Sequence, residues 1–169
     1  MDANQLKVLQ APLKDRYRQD PSAALVPLQS RGVLEPDRLS CRVLTSRGET
    51  TSGLHPAAGG DGSGACSGDM LLDALVACAG VTLSAVATAM NIPLRGGQIT
   101  AHGELDFRGT LGLSKEVPIG IRAIQLEFAL DADASAEQLE KLVQLTERYC
   151  VILQTLKSPP GITTELSRG

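Results

Sequence analysis

The apolar segment DMLLDALVACAGVTLSAVATAM, residues 69–90, limits the possible folds more than any other part of the chain. Its uncharged stretch from Ala74 to Met90 falls short of the roughly 20 residues that a membrane-spanning helix needs. The segment is rich in Ala, Gly, Ser and Thr, and it lacks flanking aromatic and basic belts, so it is a poor membrane span. A helix that is apolar all round is otherwise buried in a core or a subunit interface. We therefore expect a core helix at a homodimer interface and no membrane partner.

The composition argues against nucleic-acid binding. The chain has 169 residues, enough for one domain with a buried core. It contains two Phe, two Tyr and no Trp, and its net charge is −3. Bases stack on aromatic side chains and phosphates need a basic face, so nucleic acid is not an expected partner. The first ten residues show neither the basic region nor the apolar region of a secretory signal, so we expect a cytoplasmic protein.

The cysteines and histidines do not have the spacing of a metal site. No two cysteines form a C-x-x-C pair, and the two histidines are isolated in the sequence. A chain of this size without a visible signal and with few cysteines is expected to keep reduced thiols. The residues concerned are Cys41, Cys66, Cys78, Cys150, His55 and His102.

The N-terminal region predicts an arm followed by a domain. Leucines and a tyrosine at helical spacing predict a helix over 4–20, which Asp20-Pro21 should end. We assign 1–37 to a helical arm with a linker and 38–169 to the domain. Alternation predicts a strand over 38–47. The glycine-rich loop 55–69 lacks the lysine of a phosphate-binding loop, so nucleotide binding is not expected.

The rest of the chain predicts an α+β domain. Alternating apolar residues in 98–109 and 121–131 predict two strands paired antiparallel. Ser135 and Gln138 have the spacing of a capping box, which opens a predicted helix over 135–156. We predict a short last strand over 161–167. Runs of strands and helices in this order are typical of an α+β fold.

A buried cysteine is by default a small hydrophobic residue. We expect Cys41 to be a core residue on its strand, and Cys66 to be incidental or a modulatory thiol. His55 and His102 are expected on a loop and on a strand surface. Cys78 lies more than two turns inside its helix, so the helix dipole stabilises its thiolate little, and activation requires a cation brought in by the fold.

Two separated motifs carry a family resemblance. SGDMLLDALVACAGVTLSAVA resembles the central helix of the OsmC/Ohr family, the osmotically inducible and organic hydroperoxide resistance proteins. ERYCVILQTL resembles the second family marker, a cysteine late in a long helix that follows a strand pair. The resemblance covers about residues 38–169. It implies an OsmC-like fold in which antiparallel sheets pack on two central helices, in an intertwined homodimer.

The resemblance also implies an activity. Cys78 would be the peroxidatic cysteine, Cys150 the resolving one, and Asp69 the acid that orients an arginine beside the thiolate. The reaction would be thiol-dependent reduction of organic hydroperoxides or hydrogen peroxide, with an external thiol or dithiol as reductant. No metal, flavin or haem cofactor is implied.

This sequence departs from the family pattern in several places. Asp69 stands where Glu is common, and Val151 and Ile152 follow Cys150 where Pro is frequent. The arm is absent from the best-known members, so we expect it to cover the partner subunit or to narrow the pocket. Two rival functions stay open: a protein that binds a small hydrophobic ligand without turnover, and a stress-associated scaffold with structural cysteines. The candidate arginines are Arg16, Arg18, Arg31 and Arg42.

Overall fold

The structure, a computed structural model, describes residues 1–45 and 48–168 of the chain. It has the α+β architecture that the sequence predicts, with two antiparallel sheets and helices. Short 3₁₀ turns cover Pro21–Ala24, Pro36–Arg38 and Pro56–Ala58. The helices are α1 (Ala3–Gln19), α2 (Ser67–Ala89), α3 (Phe107–Thr110), α4 (Ala136–Tyr149) and α5 (Val151–Lys157).

The strands form two separate sheets. β1, β2 and β3 pair antiparallel in that order, and β4 pairs antiparallel with β5. The predicted antiparallel pairing of 98–109 with 121–131 is confirmed by β4 and β5, but β4 ends at Leu105, and residues 107–109, predicted as strand, belong to α3 because Asp106 caps a helical turn there. The strands are β1 (Arg31–Glu35), β2 (Ser40–Thr45), β3 (Gly48–Ser52), β4 (Leu94–Leu105) and β5 (Ile121–Ala132).

The core lies between the β4–β5 sheet and the two long helices α2 and α4. Leu75, Ala79, Leu83 and Ala87 recur every four residues along α2 and are buried on one face. Phe128 of β5 packs on both parts of this core. Among the described residues α2 is the one helix whose length and composition would allow it to cross a membrane, properties that core helices share.

Other predictions from the sequence differ from the structure or extend beyond the described residues. The predicted linker contains β1, and β3 was not predicted. Residues 161–167 form no strand. The predicted helix 135–156 begins with its capping box at Ser135 but is divided at Cys150. The predicted strand 38–47 corresponds to β2 up to Thr45, and its last two residues lie outside the described ones.

The arm helix α1 stands largely free of its own chain. It is continuous through Pro12 and is capped by a box formed by Asp2 and Gln5. Its first turn lies beside the end of α2 and the residues that follow it. Residues 11–20 are all exposed, including Leu13 at 47 % and Tyr17 at 36 %. The apolar face of α1 is therefore only partly covered by other described residues of this chain.

The solvent-accessible surface of the chain is 12809 Å². A compact monomer of 17.7 kDa exposes about 7,900 Å². The N-terminal third contributes to this difference, since the strands β1–β3 make their main contacts with one another. Exposed apolar residues there are Val8, Leu9, Leu13, Leu25, Val26, Leu28, Leu34 and Leu39.

Candidate active site

Helix α2 positions Cys78 at the edge of its buried face. Cys78 follows Leu75 by three residues and precedes Ala79, both of which are fully buried. The thiol itself is half-buried and belongs to the same core cluster as Cys150. The helix therefore holds one thiol in an apolar environment that solvent can still reach.

A break between α4 and α5 brings the second thiol to the first. Cys150 has extended backbone angles, φ −72° and ψ 106°, and it separates the two helices. Its N–H still donates to the Thr146 carbonyl at 2.9 Å, and its side chain is fully buried. The Cys150 thiol hydrogen-bonds that of Cys78. Val151 and Ile152 are β-branched residues, which favour helices less than straight-chain residues do, so the break at this point is consistent with the local sequence.

The two thiols have opposite pKa shifts. Burial raises the pKa of Cys78, but hydrogen bonds from the Ile152 backbone, the Cys150 thiol and the Val151 backbone outweigh it. The Thr82 hydroxyl adds a further bond, and the resulting pKa lies below the ordinary value for cysteine. Burial raises the pKa of Cys150, and its hydrogen bond to Cys78 raises it further. Cys78 is therefore the more acidic thiol of the pair and ionises before Cys150.

Sequence reasoning missed these donors. Thr82 lies one turn after Cys78 on the same helix face, a spacing that the sequence already displays. The backbone N–H groups of Val151 and Ile152 were not foreseen, because the sequence predicted an unbroken helix in which both would bond within the helix. The absence of Pro after Cys150 was the one available signal, since Pro has no N–H.

An apolar groove of about 460 Å³ lies against the core cluster that contains the thiol pair, although neither cysteine lines it. It is bounded by α2, β5 and α5, and it shares Leu75, Leu126 and Leu153 with the core cluster that contains both cysteines. The side chains of Arg122 and Lys157 lie at its border. The groove could accept a small organic molecule, and its lining residue Leu75 lies about one helical turn before Cys78 on α2.

The candidate arginines are not at this site in the described part of the chain. Arg42 pairs with Glu49 at 3.0 Å and with Glu35 at 3.5 Å, on the β1–β3 sheet. Arg18 pairs with Asp15 on α1. None of Arg16, Arg18, Arg31 and Arg42 is among the groups that chiefly set the pKa of Cys78.

Asp69 lies in a different cavity from Cys78. Nine residues of α-helix span about 13.5 Å, so the two side chains are more than two turns apart. Asp69, Cys66 and His55 line a second cavity of about 210 Å³. His55 stacks on Phe107, with ring centroids 4.9 Å apart, and its Nδ1 accepts a hydrogen bond from Ala57. The role predicted for Asp69 stays a prediction.

His102 lies on a strand surface as predicted, whereas Cys41 lies on its predicted strand but is half-buried and belongs to neither core cluster. Cys41 is half-buried on β2, and its sulfur lies so close to Gly32 of β1 that a side chain there would collide with it. His102 lies on the exposed surface of β4, with its Nε2 3.8 Å from Glu127. No group of three His, Cys, Asp or Glu residues that could hold a metal ion occurs in ranges 1–45 and 48–168.

The fold and the paired thiols define an α+β protein with a two-cysteine site between its central helices. The chain belongs to the OsmC-like protein family, whose model matches residues 60–165. The resemblance that the sequence motifs indicated is thereby confirmed. No curated protein sequence matches the chain.

Solved structures share the fold. An OsmC-like protein from Mycoplasma pneumoniae has a TM-score of 0.68 at 19% identity, over 79% of this chain and 89% of that chain. An organic hydroperoxide resistance protein from Elizabethkingia anophelis has a TM-score of 0.57 at 16% identity, over 80% and 91%. The organic hydroperoxide resistance protein OhrB of Bacillus subtilis has a TM-score of 0.53 at 17% identity, over 79% and 93%. The predicted OsmC-like fold is confirmed.

Proposed function

We propose that the protein is a thiol-dependent peroxidase that reduces organic hydroperoxides, with Cys78 as the peroxidatic and Cys150 as the resolving cysteine. One observation carries the proposal: the two thiols lie in the same core cluster, where the pKa of Cys78 is lowered and that of Cys150 is raised. A thiolate is the nucleophile, and a neighbouring thiol is required to resolve its oxidised form. Similar structures from two other organisms are named organic hydroperoxide resistance proteins.

The proposed reaction has three balanced steps. The Cys78 thiolate attacks the distal oxygen of ROOH, the O–O bond breaks, and the alkoxide leaves as ROH after taking a proton. Cys78 is then a sulfenic acid. The Cys150 sulfur displaces its hydroxyl as water and forms the Cys78–Cys150 disulfide. An external dithiol, or two thiols, reduces this disulfide to the starting thiols and is itself oxidised to a disulfide.

The apolar groove supports an organic substrate. Its lining comes mainly from aliphatic side chains, among them Leu75, Leu126 and Leu153, and apolar lining is typical of small-molecule sites. An alkyl hydroperoxide would bury its hydrocarbon part there with its peroxide beside Cys78. Hydrogen peroxide gains nothing from such a groove, so it would be the poorer substrate. No metal, flavin or haem takes part in the proposed reaction.

We further propose that the working unit is an intertwined homodimer. The chain exposes about 4,900 Å² more than a compact monomer of its mass, which exceeds the share of about 1,000–2,500 Å² that each subunit contributes to an obligate dimer interface of about 2,000–5,000 Å² in total. The exposed apolar face of α1 would then cover the partner subunit. The β1–β3 sheet carries Arg31 and Arg42, so a second copy could also bring an arginine to Cys78, oriented by Asp69 as the family resemblance implies.

Peroxide consumption with cysteine variants tests the proposal. The reduced protein is mixed with cumene hydroperoxide and, separately, with hydrogen peroxide, and free thiols and intact mass are measured. Wild type should lose two thiols as one internal disulfide, and Cys150→Ser should stop at a sulfenic acid on Cys78. Cys41→Ser, the control, should match wild type. The assignment is wrong if Cys78→Ser consumes cumene hydroperoxide as fast as wild type does.

Asp69→Asn tests the acid in the same assay. Slower peroxide consumption with an intact Cys78 would support its role toward an arginine, and an unchanged rate would remove Asp69 from the proposal.

A second candidate function rests on the same groove. A protein that binds a small hydrophobic ligand without turnover would also need an apolar cavity of about 460 Å³. Such a protein would retain its thiols after peroxide treatment and would carry a ligand through purification. Native mass spectrometry of the freshly isolated protein distinguishes this alternative from the peroxidase.

A further inference from the structure

The helix break at Cys150 changes the hydrogen-bond partners of the two residues that follow it. In an unbroken α-helix, each N–H donates to the carbonyl four residues earlier. The Val151 N–H would therefore donate to the Glu147 carbonyl, and the Ile152 N–H to that of Arg148. In this structure the break leaves both N–H groups at the start of α5, beside the core cluster that contains Cys78 and Ile152, and both lower the pKa of Cys78 as donors to its sulfur.

The side chain of Gln154 replaces the Val151 N–H as the donor to the Glu147 carbonyl. Its Nε2 donates to the Glu147 carbonyl oxygen at 2.8 Å. The side chain of Lys157 adds an ion pair with the Glu147 carboxylate at 3.2 Å. Two side chains of α5 are thus attached to the last turns of α4 and span the break between them.

The backbone of Gln154 is tied to the same point. Its N–H donates to the Cys150 carbonyl at 2.9 Å, so the residue contacts both sides of the break. The last carbonyls of a helix lack a helical donor, and the Gln154 side chain supplies one to Glu147 without using a backbone N–H. Gln154 therefore leaves the Val151 N–H free for the sulfur.

We propose that Gln154 is a positioning residue: its bond to the Glu147 carbonyl holds the break open and keeps the Val151 and Ile152 N–H groups on the sulfur of Cys78. The inference rests on the proposed peroxidase function, because only a reactive Cys78 gives Gln154 a role in function. The effect of Gln154 on the pKa of Cys78 can nevertheless be measured without any peroxide. Val151 has a related role, because a proline at that position would keep the break and lose the donor.

Two variants and a matched control test the inference. Gln154→Met keeps the length of the side chain and removes its donor. Val151→Pro removes the N–H at the first helical position, where proline is well tolerated, and Cys150 before it already has extended angles. Gln144→Met makes the same change as the first variant at an exposed glutamine of α4.

The readout is the pH dependence of Cys78 alkylation by iodoacetamide, followed by mass spectrometry of the Cys78 peptide. Gln154→Met and Val151→Pro should raise the pH of half-maximal alkylation by about half a pH unit. At a pH below this midpoint, the thiolate fraction of Cys78 and hence its alkylation rate then fall about threefold. Gln144→Met should match wild type. Circular dichroism checks that each variant is folded, and a merely structural role would lower the melting temperature without moving the midpoint.

The outcomes separate this inference from the proposed function. If Val151→Pro moves the midpoint and Gln154→Met does not, Gln154 is not a positioning residue. If neither variant moves the midpoint, the Val151 N–H does not donate to the sulfur of Cys78 and the inference is wrong. If both variants move the midpoint while wild type fails to consume cumene hydroperoxide, the role of Gln154 is supported and the peroxidase proposal fails.

Discussion

A single substitution on the arm tests whether α1 contacts a second copy of the chain. Leu13 is 47 % exposed, so about half of its side chain remains to be buried by a partner. Burying a whole leucine contributes about 1.5–3 kcal/mol, so about 1 kcal/mol is available here. Placing a carboxylate in the same contact costs about a further 1–2 kcal/mol. Each arm contact should therefore lose about 2–3 kcal/mol, and because a symmetric dimer carries the change twice, Leu13→Glu should weaken the dimer by about 4–6 kcal/mol, roughly 10³–10⁴-fold in Kd.

The matched control is Ala11→Glu, which adds the same charge two residues away. The 100° turn per residue of an α-helix places Ala11 nearly opposite Leu13. Sedimentation-velocity ultracentrifugation over a concentration series should show a large rise in Kd for Leu13→Glu and little change for Ala11→Glu. Equal effects of the two variants would refute the argument, because they would reflect charge alone. A monomeric wild type would refute both the arm contact and the dimer.

Three further predictions concern the thiol site and the core. Thr82→Val removes a hydroxyl donor to Cys78 and should raise its pKa, as measured by alkylation, whereas Thr88→Val, whose hydroxyl bonds Ser84, should not. Because the pKa of Cys78 is lowered, its alkylation should reach half-maximal rate at a lower pH in the folded protein than in the urea-unfolded protein; an equal or higher midpoint in the folded protein would contradict the donor geometry. Leu142→Ala truncates a fully buried side chain and should cost about 2–5 kcal/mol in urea unfolding, whereas a loss below 1 kcal/mol would contradict its place in the core.

Much of the fold was predictable because the signals are local. Alternation in 98–109 and 121–131 gave a strand pair whose Ile99 and Phe128 do pack in the core. The Ser135 and Gln138 capping box marked the start of α4 correctly. β1 was missed because Arg31–Glu35 is short and largely exposed in the chain, so it lacks the alternation of buried and exposed residues that marks a strand.

The site was only partly predictable, because its geometry depends on tertiary contacts. The family resemblance paired Cys78 with Cys150, and the structure does place these two residues in contact. The division of the last long helix could not be read from periodicity, since the apolar spacing continues across Cys150. The donors to the sulfur follow from that division, so they were not predictable either. The predicted strand over 161–167 was wrong because its alternating residues have no strand to pair with in the described chain.

The most direct test of the central claim is to identify the disulfide that forms in one turnover. The reduced protein is treated with one equivalent of cumene hydroperoxide, remaining thiols are alkylated at low pH, and peptides are mapped by mass spectrometry without reduction. We predict one linked pair, Cys78 with Cys150, with Cys41 and Cys66 recovered as alkylated thiols. A disulfide that includes Cys66, or recovery of all four cysteines alkylated, would contradict the assignment of Cys78 and Cys150 as the reacting pair.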